Sequence, residues 1–374
     1  MTFDREKNNL FTSWWWTVDR FSLLGIVLII CVGAFMVTTS STSVAERIGL
    51  DSYHFVKRQL AYLFISLIII FLFSLLSPIT IRRISTIGFL GGILLLIFVL
   101  IFGEEVNGAR RWINMPGISL QPSEFMKPFF IVLTAWILSE EKIYSKFKRM
   151  KIAFGLYLFL VFLLVMQPDM GMTIIISVVW GAQLFVAGLP MVFVFIFGIL
   201  IVSGLISAYF FFPHVAHRID SFLSTTGNYQ AHKSMEAFYS GGLFGRGPGE
   251  GVVKQYLPDS HTDFIFAVAG EELGAIACAI IVLLYAFIVF KGLKRMLGES
   301  DLFIVYAVSG LLMQFGAQAI VNMGVALNLL PTKGMTLPFI SYGGSSMLAI
   351  AIAMGMMLAL TRRRYGAFNR LSFS

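Results

Sequence analysis

The chain of 374 residues is 57% hydrophobic and only 13% charged. A typical soluble domain carries about 25% charged residues, so this composition excludes a chain that covers itself with a water-facing surface. The net charge of +8 does not indicate a nucleic-acid partner, because Lys and Arg cluster in short segments between long apolar runs. That arrangement is typical of a protein embedded in a lipid bilayer.

Residues 1–20 form a polar and aromatic segment before the first apolar run. That run is too long for the core of a cleavable secretion signal, so we expect the N-terminus to stay attached. Trp14, Trp15 and Trp16 stand just before it and predict an aromatic belt at the membrane surface. Cys31 and Cys278 lie in apolar runs, where a buried thiol is more common than a disulfide or a thiolate metal site.

A helix needs about 20 apolar residues to cross the hydrocarbon of a membrane. We therefore predict an all-α fold in which one membrane domain, residues 21–361, stands between the N-terminal segment and a tail at 362–374. Pro190 divides the sixth span from the seventh, because Pro ends a helix. The ten predicted spans are 21–40, 59–76, 85–102, 121–139, 152–167, 172–187, 192–212, 273–290, 302–327 and 342–360.

The distribution of Lys and Arg predicts the orientation of these spans. Segments on the side of the N-terminus hold 17 of these residues, and segments on the other side hold 10. Because positive charge accumulates in cytoplasmic loops, both termini are expected in the cytoplasm. The long connection between spans seven and eight, residues 213–272, is then external. Long loops usually carry function, so we expect the chemistry there.

Two charged residues lie inside the fourth span, where charge is costly and is therefore a functional candidate. Glu124 and Lys127 are three residues apart and share one helix face. One interpretation is an internal ion pair that tolerates burial. The other is a cation held near an anionic substrate group, with Glu124 fixing its position.

Further candidates stand at the predicted external ends of the spans. Arg110, Arg111 and Trp112 combine two cations with an amphipathic ring, which suits a phosphate-bearing lipid head group. Simple snorkelling of the cations would also explain them. Asp169 occupies a short turn after a span of only 16 predicted residues, so it is either an ordinary turn residue or buried in the protein. Arg58, at the entrance of the second span, has the same two interpretations.

The long loop ends in His261-Thr262-Asp263 just before an apolar helix. A carboxylate that is half removed from water can have a raised pKa and act as a general base, although Asp263 could equally be a helix N-cap. No third ligand accompanies His261 and Asp263, so a dedicated metal cage is not expected. Upstream, Gly245, Gly247, Gly249 and Gly251 predict a flexible or closely packed loop rather than a nucleotide-binding turn.

Residues 331–346 run from a predicted external loop into the last span. Lys333 supplies a further cation, and the small residues around Ser341 permit close helix approach or irregular backbone beside a cavity. Helix packing alone would also explain these small residues.

Six motifs carry a resemblance to a known family. They are Gly-Ala-Arg-Arg-Trp at 108–112, Gln-Pro-Ser-Glu at 121–124, Gln-Pro-Asp-x-Gly at 167–171, His-Thr-Asp-Phe-Ile-Phe at 261–266, Gly-Glu-Glu-Leu-Gly at 270–274 and Ile-Ser-Tyr-Gly-Gly-Ser-Ser at 340–346. In their content and order the chain resembles the SEDS (FtsW/RodA) family of bacterial membrane proteins over nearly its whole length. Pro-Thr-Lys-Gly at 331–334 is similar to the division branch of that family.

The resemblance implies ten spans with cytoplasmic termini in the bacterial plasma membrane, at the division site. It also implies peptidoglycan glycosyltransferase activity on lipid II, an undecaprenyl-pyrophosphoryl disaccharide-peptide. The implied partners are a single-span class B penicillin-binding transpeptidase and other division proteins. Asp263 matches the catalytic carboxylate of the family.

These observations lead to a hypothesis for the reaction. Asp263 deprotonates a sugar hydroxyl, while Arg58, Arg110, Arg111, Lys127 and Lys333 steady the pyrophosphate leaving group, with Mg²⁺ or Mn²⁺ as an optional further partner. Glu124, Asp169, Trp112, His261, Thr262 and Ser341 complete the expected substrate site. A lipid II flippase and a non-catalytic division scaffold are the alternatives, and ion-coupled transport is weaker because few charges are buried.

Overall fold

The structure is a computed structural model. It describes residues 10–47, 49, 51–106, 109–115, 118–141, 145–211, 215–216, 220, 229–331 and 334–362. Of the residues singled out above, Gly108 and Lys333 lie outside the described part of the chain.

Twelve α-helices follow one another within these ranges. They are α1 Leu10–Thr17, α2 Arg20–Arg47, α3 His54–Ser74, α4 Pro78–Phe102, α5 Pro122–Ser139, α6 Lys146–Met166, α7 Met170–Val186, α8 Met191–Phe211, α9 Tyr229–Gly241, α10 Ile265–Met296, α11 Leu302–Ala326 and α12 Gly344–Leu360. A single turn of 3₁₀-helix, Val253–Gln255, lies between α9 and α10.

Six of the described helices are long and apolar enough to cross a membrane, namely α2, α3, α4, α6, α10 and α11. Helices α7 and α12 and residues Gly198–Phe211 of α8 are apolar but shorter. The large apolar side chains exposed along α3, α4, α6 and α10 face the surroundings of the protein rather than its core. The chain is therefore a multi-pass helical membrane protein, and the division into ten spans remains a prediction.

The all-α prediction is wrong between α4 and α5. Strands β1 Glu104–Val106, β2 Ala109–Met115 and β3 Ile118–Leu120 form an antiparallel sheet in the order β1-β2-β3. Glu104 pairs with Trp112, and Ile113 pairs with Leu120. Strands β1 and β3 have three residues each, too few to produce a period-2 signal, and the seven residues of β2, Ala-Arg-Arg-Trp-Ile-Asn-Met, do not alternate regularly between polar and apolar.

Several helices begin well before the spans predicted from hydropathy, and α4, for example, begins at Pro78 rather than at residue 85. Helix α6 begins at Lys146 rather than at residue 152, because the basic residues before the apolar run are part of the same helix. Helix α10 begins at Ile265 rather than at residue 273, because Glu271 and Glu272 are buried inside the protein and do not end the helix. The predicted loop 213–272 therefore contains α9, the 3₁₀ turn and the start of α10.

The aromatic cluster before the first span is only partly at the surface. Trp14 is buried, and its indole N–H donates to Ser74 Oγ at 2.7 Å, so this residue belongs to the core. Trp16 is exposed, and the Arg20 guanidinium lies 4.7 Å from the centre of its ring. Only the exposed part of the predicted belt can meet lipid.

Helix α10 is interrupted at Gly274, whose φ of 82° lies in the left-handed region. The amides after the break donate outside the helix, since Ala275 N reaches Gly242 O at 2.9 Å and Ile276 N reaches Leu243 O at 3.3 Å. A Cβ on Gly274 would lie 2.4 Å from Leu243 O. The predicted glycine-rich loop is therefore closely packed against α10.

Helices α5, α11 and α12 form the centre of the molecule. Helix α5 packs against α4, α11 and α12, and α12 packs against α3. Most residues of α11 and α12 are buried. This arrangement brings the charged face of α5 against the polar residues of α11.

We expect Gly274→Ala to lower the free energy of unfolding by about 2 kcal/mol or more, because a side chain there is strained and meets the backbone of the 242–245 turn. The measurement is thermal unfolding of the purified protein in detergent. Gly298→Ala is the control, since a Cβ at Gly298 has no atom within 4 Å. Equal melting temperatures for the two variants would contradict this account of the kink.

Candidate functional site

Asp263 lies in a turn directly before α10 and is half-buried. The N-cap residue of α10 is Phe264, whose own side chain makes no capping hydrogen bond, so Asp263 stands one residue before the N-cap position. Its backbone carbonyl accepts from Asn322 Nδ2 on α11 at 2.9 Å. A Cβ on Gly334 would lie 3.7 Å from Asp263 Oδ2, so the carboxylate stands beside the segment that leads into α12.

His261 is buried beside this turn, with 8% of its surface exposed. Its ring lies 4.8 Å from the Phe55 ring and 5.5 Å from the Tyr342 ring, measured between centroids. Nδ1 has no hydrogen-bond partner among the described residues. Burial lowers the pKa of His261 to about 4, against the opposing charge of Asp259. The imidazole is therefore neutral at pH 7.

Thr262 and Ser341 join the two segments that flank the site. Ser341 Oγ donates to Thr262 O at 2.5 Å and accepts from Leu337 N at 2.7 Å. Gln59 Nε2 on α3 donates to Ser341 O at 3.3 Å. Because the buried Ser341 hydroxyl both donates and accepts a hydrogen bond, it holds the turn of Asp263 against the 337–341 turn. Substrate contact by either residue remains a prediction.

Arg58 reaches the same region from the first turns of α3. The side chain is exposed, and its guanidinium interacts electrostatically with the nearby Tyr342 hydroxyl. Tyr342 N in turn donates to His261 O at 2.9 Å. An exposed cation is thus linked through one tyrosine to the turn that carries Asp263.

Lys127 and Glu124 form the internal ion pair that the sequence allowed. Lys127 Nζ lies 2.6 Å from Glu124 Oε2 and donates to Gln318 Oε1 at 2.9 Å. Only 1% of Lys127 is exposed. Gln318 Nε2 continues the network to Ser346 Oγ and Thr336 O, both at 3.1 Å. The pair therefore ties α5 to α11 and α12, and its contact with substrate remains a prediction.

The polar residues of α11 were not predicted from the sequence to belong to the site. Gln314, Gln318 and Asn322 recur every four residues, so they lie on one face of an apolar helix, and all three are buried. Asn322 Nδ2 donates to Met335 O at 2.6 Å as well as to Asp263 O. The signal that could have found them is this polar stripe, which no lipid-facing helix surface would tolerate.

Arg111 and Arg110 point to different places because neighbouring residues of a strand face opposite sides. Arg111 Nε donates to Gln167 O at 3.1 Å, a second nitrogen donates to Pro168 O, and the third lies 3.8 Å from Asp169 Oδ1. Arg110 is exposed and lies 3.9 Å from Glu105. The expected pair of adjacent phosphate-binding cations is therefore divided.

Asp169 is buried, as one of the two interpretations predicted. It caps α7 by accepting from Met172 N at 3.3 Å, and its other oxygen accepts from Gln121 Nε2 at 3.3 Å. The argument from a short span was nevertheless wrong, because α6 has 21 residues. Trp112 is half-buried on β2 beside Arg111. These residues form a second polar cluster, between the sheet and the α6–α7 turn.

A third cluster holds the glycine-rich loop to α10. Glu271 is fully buried and accepts from the amides of Val252, Val253 and Lys254 at 2.7 to 2.9 Å. Lys254 Nζ pairs with Glu272 and donates to Thr39 O at 2.9 Å. The loop is thereby attached to both α10 and α2. This role of the Gly-Glu-Glu-Leu-Gly motif was not predicted from the sequence.

In the described part of the chain, no three His, Cys, Asp or Glu side chains are close enough to hold a metal ion. The residues present do not form a cage that fits a divalent cation. A metal ion that takes ligands from substrate phosphates remains an expectation.

Fold and site together define a helical multi-pass membrane protein in which a carboxylate-bearing turn is supported by a buried polar network between three helices. The chain belongs to the cell cycle protein family that groups FtsW, RodA and SpoVE, whose sequence profile matches residues 20–366.

Two relatives illustrate the match. A protein of Caulobacter vibrioides named "Probable peptidoglycan glycosyltransferase FtsW" is 43% identical over 370 residues, covering 98% of this chain and 95% of the relative. Stage V sporulation protein E of Bacillus subtilis is 35% identical over 355 residues, covering 92% and 97%.

Solved structures share the fold. The rod shape determining protein RodA of Thermus thermophilus matches with a TM-score of 0.69 and 26% identity, covering 93% of this chain and 97% of RodA. A chain from a peptidoglycan synthase complex, described as coordinating polymerization and crosslinking, matches with a TM-score of 0.73 and 25% identity, covering 92% and 97%.

We expect His261→Phe to change the pH dependence of stability. The folded pKa of about 4 lies below the unfolded value of 6.5, so between these values the unfolded chain binds a proton that the folded chain does not. Acidification through this window therefore lowers the free energy of unfolding of the wild type by up to about 3 kcal/mol. The variant has no imidazole to protonate and does not undergo this loss. The melting temperature of the variant relative to wild type should rise from pH 7 to pH 4.5, and a pH-independent difference would refute the assignment.

Lys127→Met should destabilise the protein by about 3–5 kcal/mol, because Glu124 is left as a buried carboxylate without its cation. Replacing both residues, as Glu124→Gln with Lys127→Met, should recover most of that loss. Chemical or thermal unfolding of the wild type, the single variants Lys127→Met and Glu124→Gln, and the double variant measures the coupling. If the double variant is as unstable as the sum of the single variants, the two side chains do not form the pair described.

Proposed function

We propose that this protein is a peptidoglycan glycosyltransferase that polymerises lipid II into glycan strands. The proposal is supported by the names of its relatives and by the position of Asp263, the one observation that carries the chemistry. Asp263 is half-buried and lies two residues before the start of the long apolar helix α10. Such a position provides a base at the level where the sugar of a lipid-linked substrate meets the membrane surface.

In the proposed reaction Asp263 accepts the proton of the sugar 4-hydroxyl of one lipid II molecule. The hydroxyl oxygen forms a bond to the anomeric carbon of the growing chain. The bond from that carbon to the pyrophosphate oxygen breaks, and undecaprenyl pyrophosphate leaves with the electron pair. General base catalysis of this kind contributes about 10²- to 10⁴-fold. No nucleotide is required, because the donor already carries its leaving group.

The leaving group is strongly anionic, and exposed cations are best placed to stabilise it. Arg58 fits this role, because it is exposed and is linked through Tyr342 to the backbone of His261. Arg110 is a second exposed cation. Lys333 is a third candidate cation because it precedes Gly334 in the sequence. Arg111 and Lys127 act from inside the protein, where each already has partners.

The position of Asp263 depends on the residues that hold its turn. Asn322 takes no part in the proposed reaction. Its side-chain amide donates to the backbone carbonyls of both Asp263 and Met335 and so holds the two segments together. His261 is neutral because it is buried, and its ring packs against the rings of Phe55 and Tyr342. Ser341 links the same turn to the segment before α12. These side chains are positioning residues.

The proposed setting is the outer face of the bacterial plasma membrane, with both termini in the cytoplasm, at the division site. The proposed partner is a single-span class B penicillin-binding transpeptidase, and other division proteins would join the complex. The family match, the division-type sequence at 331–334 and the similar synthase-complex chain support this assignment.

We expect Asp263→Asn to abolish polymerisation of labelled lipid II by the purified protein, assayed alone and with its transpeptidase partner, because the amide cannot accept the proton. The loss should be at least about 10²-fold. Asp259→Asn is the matched control. Asp259 is exposed, its φ is 55°, and Asn tolerates that conformation, so activity should be retained.

Two other outcomes would replace the proposal. If the wild type moves lipid II across vesicles without polymerising it, and Asp263→Asn moves it equally well, the protein is a flippase. If cells tolerate Asp263→Asn and fail only when partner-binding surfaces are changed, the protein is a scaffold.

A further inference from the structure

A cluster of cations lies at the end of α10, on the membrane face predicted to carry the termini. Lys291, Lys294 and Arg295 are spaced three and four residues apart, so they share one helix face. With Asp19 and Phe21 they line a cavity of about 500 Å³ between the end of α10 and the start of α2. None of these residues takes part in the proposed reaction.

Among the residues that the structure describes, Asp19 is the only acidic one that lines this cavity, and it already pairs with cations. It is 7% exposed and accepts from Phe21 N at 3.3 Å and from Ser22 Oγ at 2.9 Å at the start of α2. Lys291 Nζ lies 3.7 Å and an Arg295 nitrogen 3.6 Å from its two oxygens. Two cations thus meet this carboxylate, and Lys294 lines the same cavity as a third, so the described lining has more positive than negative charge.

The surface on the membrane side of the cavity is apolar. Phe21 is 64% exposed and Phe290 is 71% exposed, and Phe287 and Leu24 are also exposed on the same two helices. Lys291 Nζ lies 3.7 Å from the centre of the Phe21 ring, so charge and apolar surface meet directly. A ligand that satisfies both needs an anionic head and a hydrocarbon tail.

We propose that this cavity binds the phosphate of an anionic phospholipid, with its acyl chains along the exposed apolar face of α2 and α10. A free phosphate ion would leave the apolar face unused. A zwitterionic lipid would bring its own ammonium group into a site that already has an excess of positive charge. Basic pockets between spanning helices bind anionic lipid head groups through this chemistry.

The test uses the purified full chain in detergent and native mass spectrometry, with phosphatidylglycerol and phosphatidylethanolamine of identical acyl chains. The variant is Lys291→Gln with Lys294→Gln, which leaves Arg295 to compensate Asp19. The control, Arg83→Gln with Lys148→Gln, removes the same charge from other exposed positions. Phosphatidylglycerol affinity should fall about tenfold or more in the variant and stay within about twofold in the control.

A charge-preserving variant, Lys291→Arg with Lys294→Arg, should keep phosphatidylglycerol binding and so separates lost charge from lost folding. Equal losses in the variant and the control would overturn the proposal, as would equal wild-type affinity for the two lipids. Inorganic phosphate that bound the wild type as tightly as phosphatidylglycerol would overturn the lipid assignment. Glycan polymerisation is not part of this readout, so failure here leaves the proposed enzymatic activity untouched.

Discussion

The structure depends on one constraint, that polar groups inside a membrane protein must find partners within the protein. Glu124, Lys127 and Gln318 satisfy it by pairing with one another between α5 and α11. The same network continues to Thr336 and Ser346, so the segment before α12 cannot move without breaking it. Because that segment stands beside Asp263, a buried ion pair in the membrane domain fixes the geometry of a site at its surface.

The same constraint explains how an irregular loop is held against a spanning helix. The break of α10 at Gly274 frees backbone groups, and the turn at residues 242–247 supplies their partners. Glu271 is buried and accepts three amides from the other end of the loop. Asp263 is two residues before α10, so the clamp that attaches the loop also sets the start of the helix behind the carboxylate.

The two ends of α10 serve different purposes. Its beginning carries the turn with Asp263 and His261, where burial keeps an imidazole neutral. Its end carries Lys291, Lys294 and Arg295 around Asp19. One helix therefore spans from a site suited to sugar chemistry to a site suited to a lipid phosphate, and anionic lipid at the second site would anchor the helix that supports the first.

Local sequence determined the membrane class and the helical character, because apolar length is visible without knowing any contact. It also identified Asp263, Glu124 and Lys127 as candidate site residues, because charges within or beside apolar runs are visible in the same way. Tertiary structure decided the rest. The partners of Arg111, the burial of Trp14 and the partners of Gln318 and Asn322 depend on residues far apart in the chain. The sheet at residues 104–120 is local, but its short strands give no alternating pattern in the sequence. Hydropathy shows which segments contain polar side chains. The partner of each polar side chain is determined only by how the helices pack.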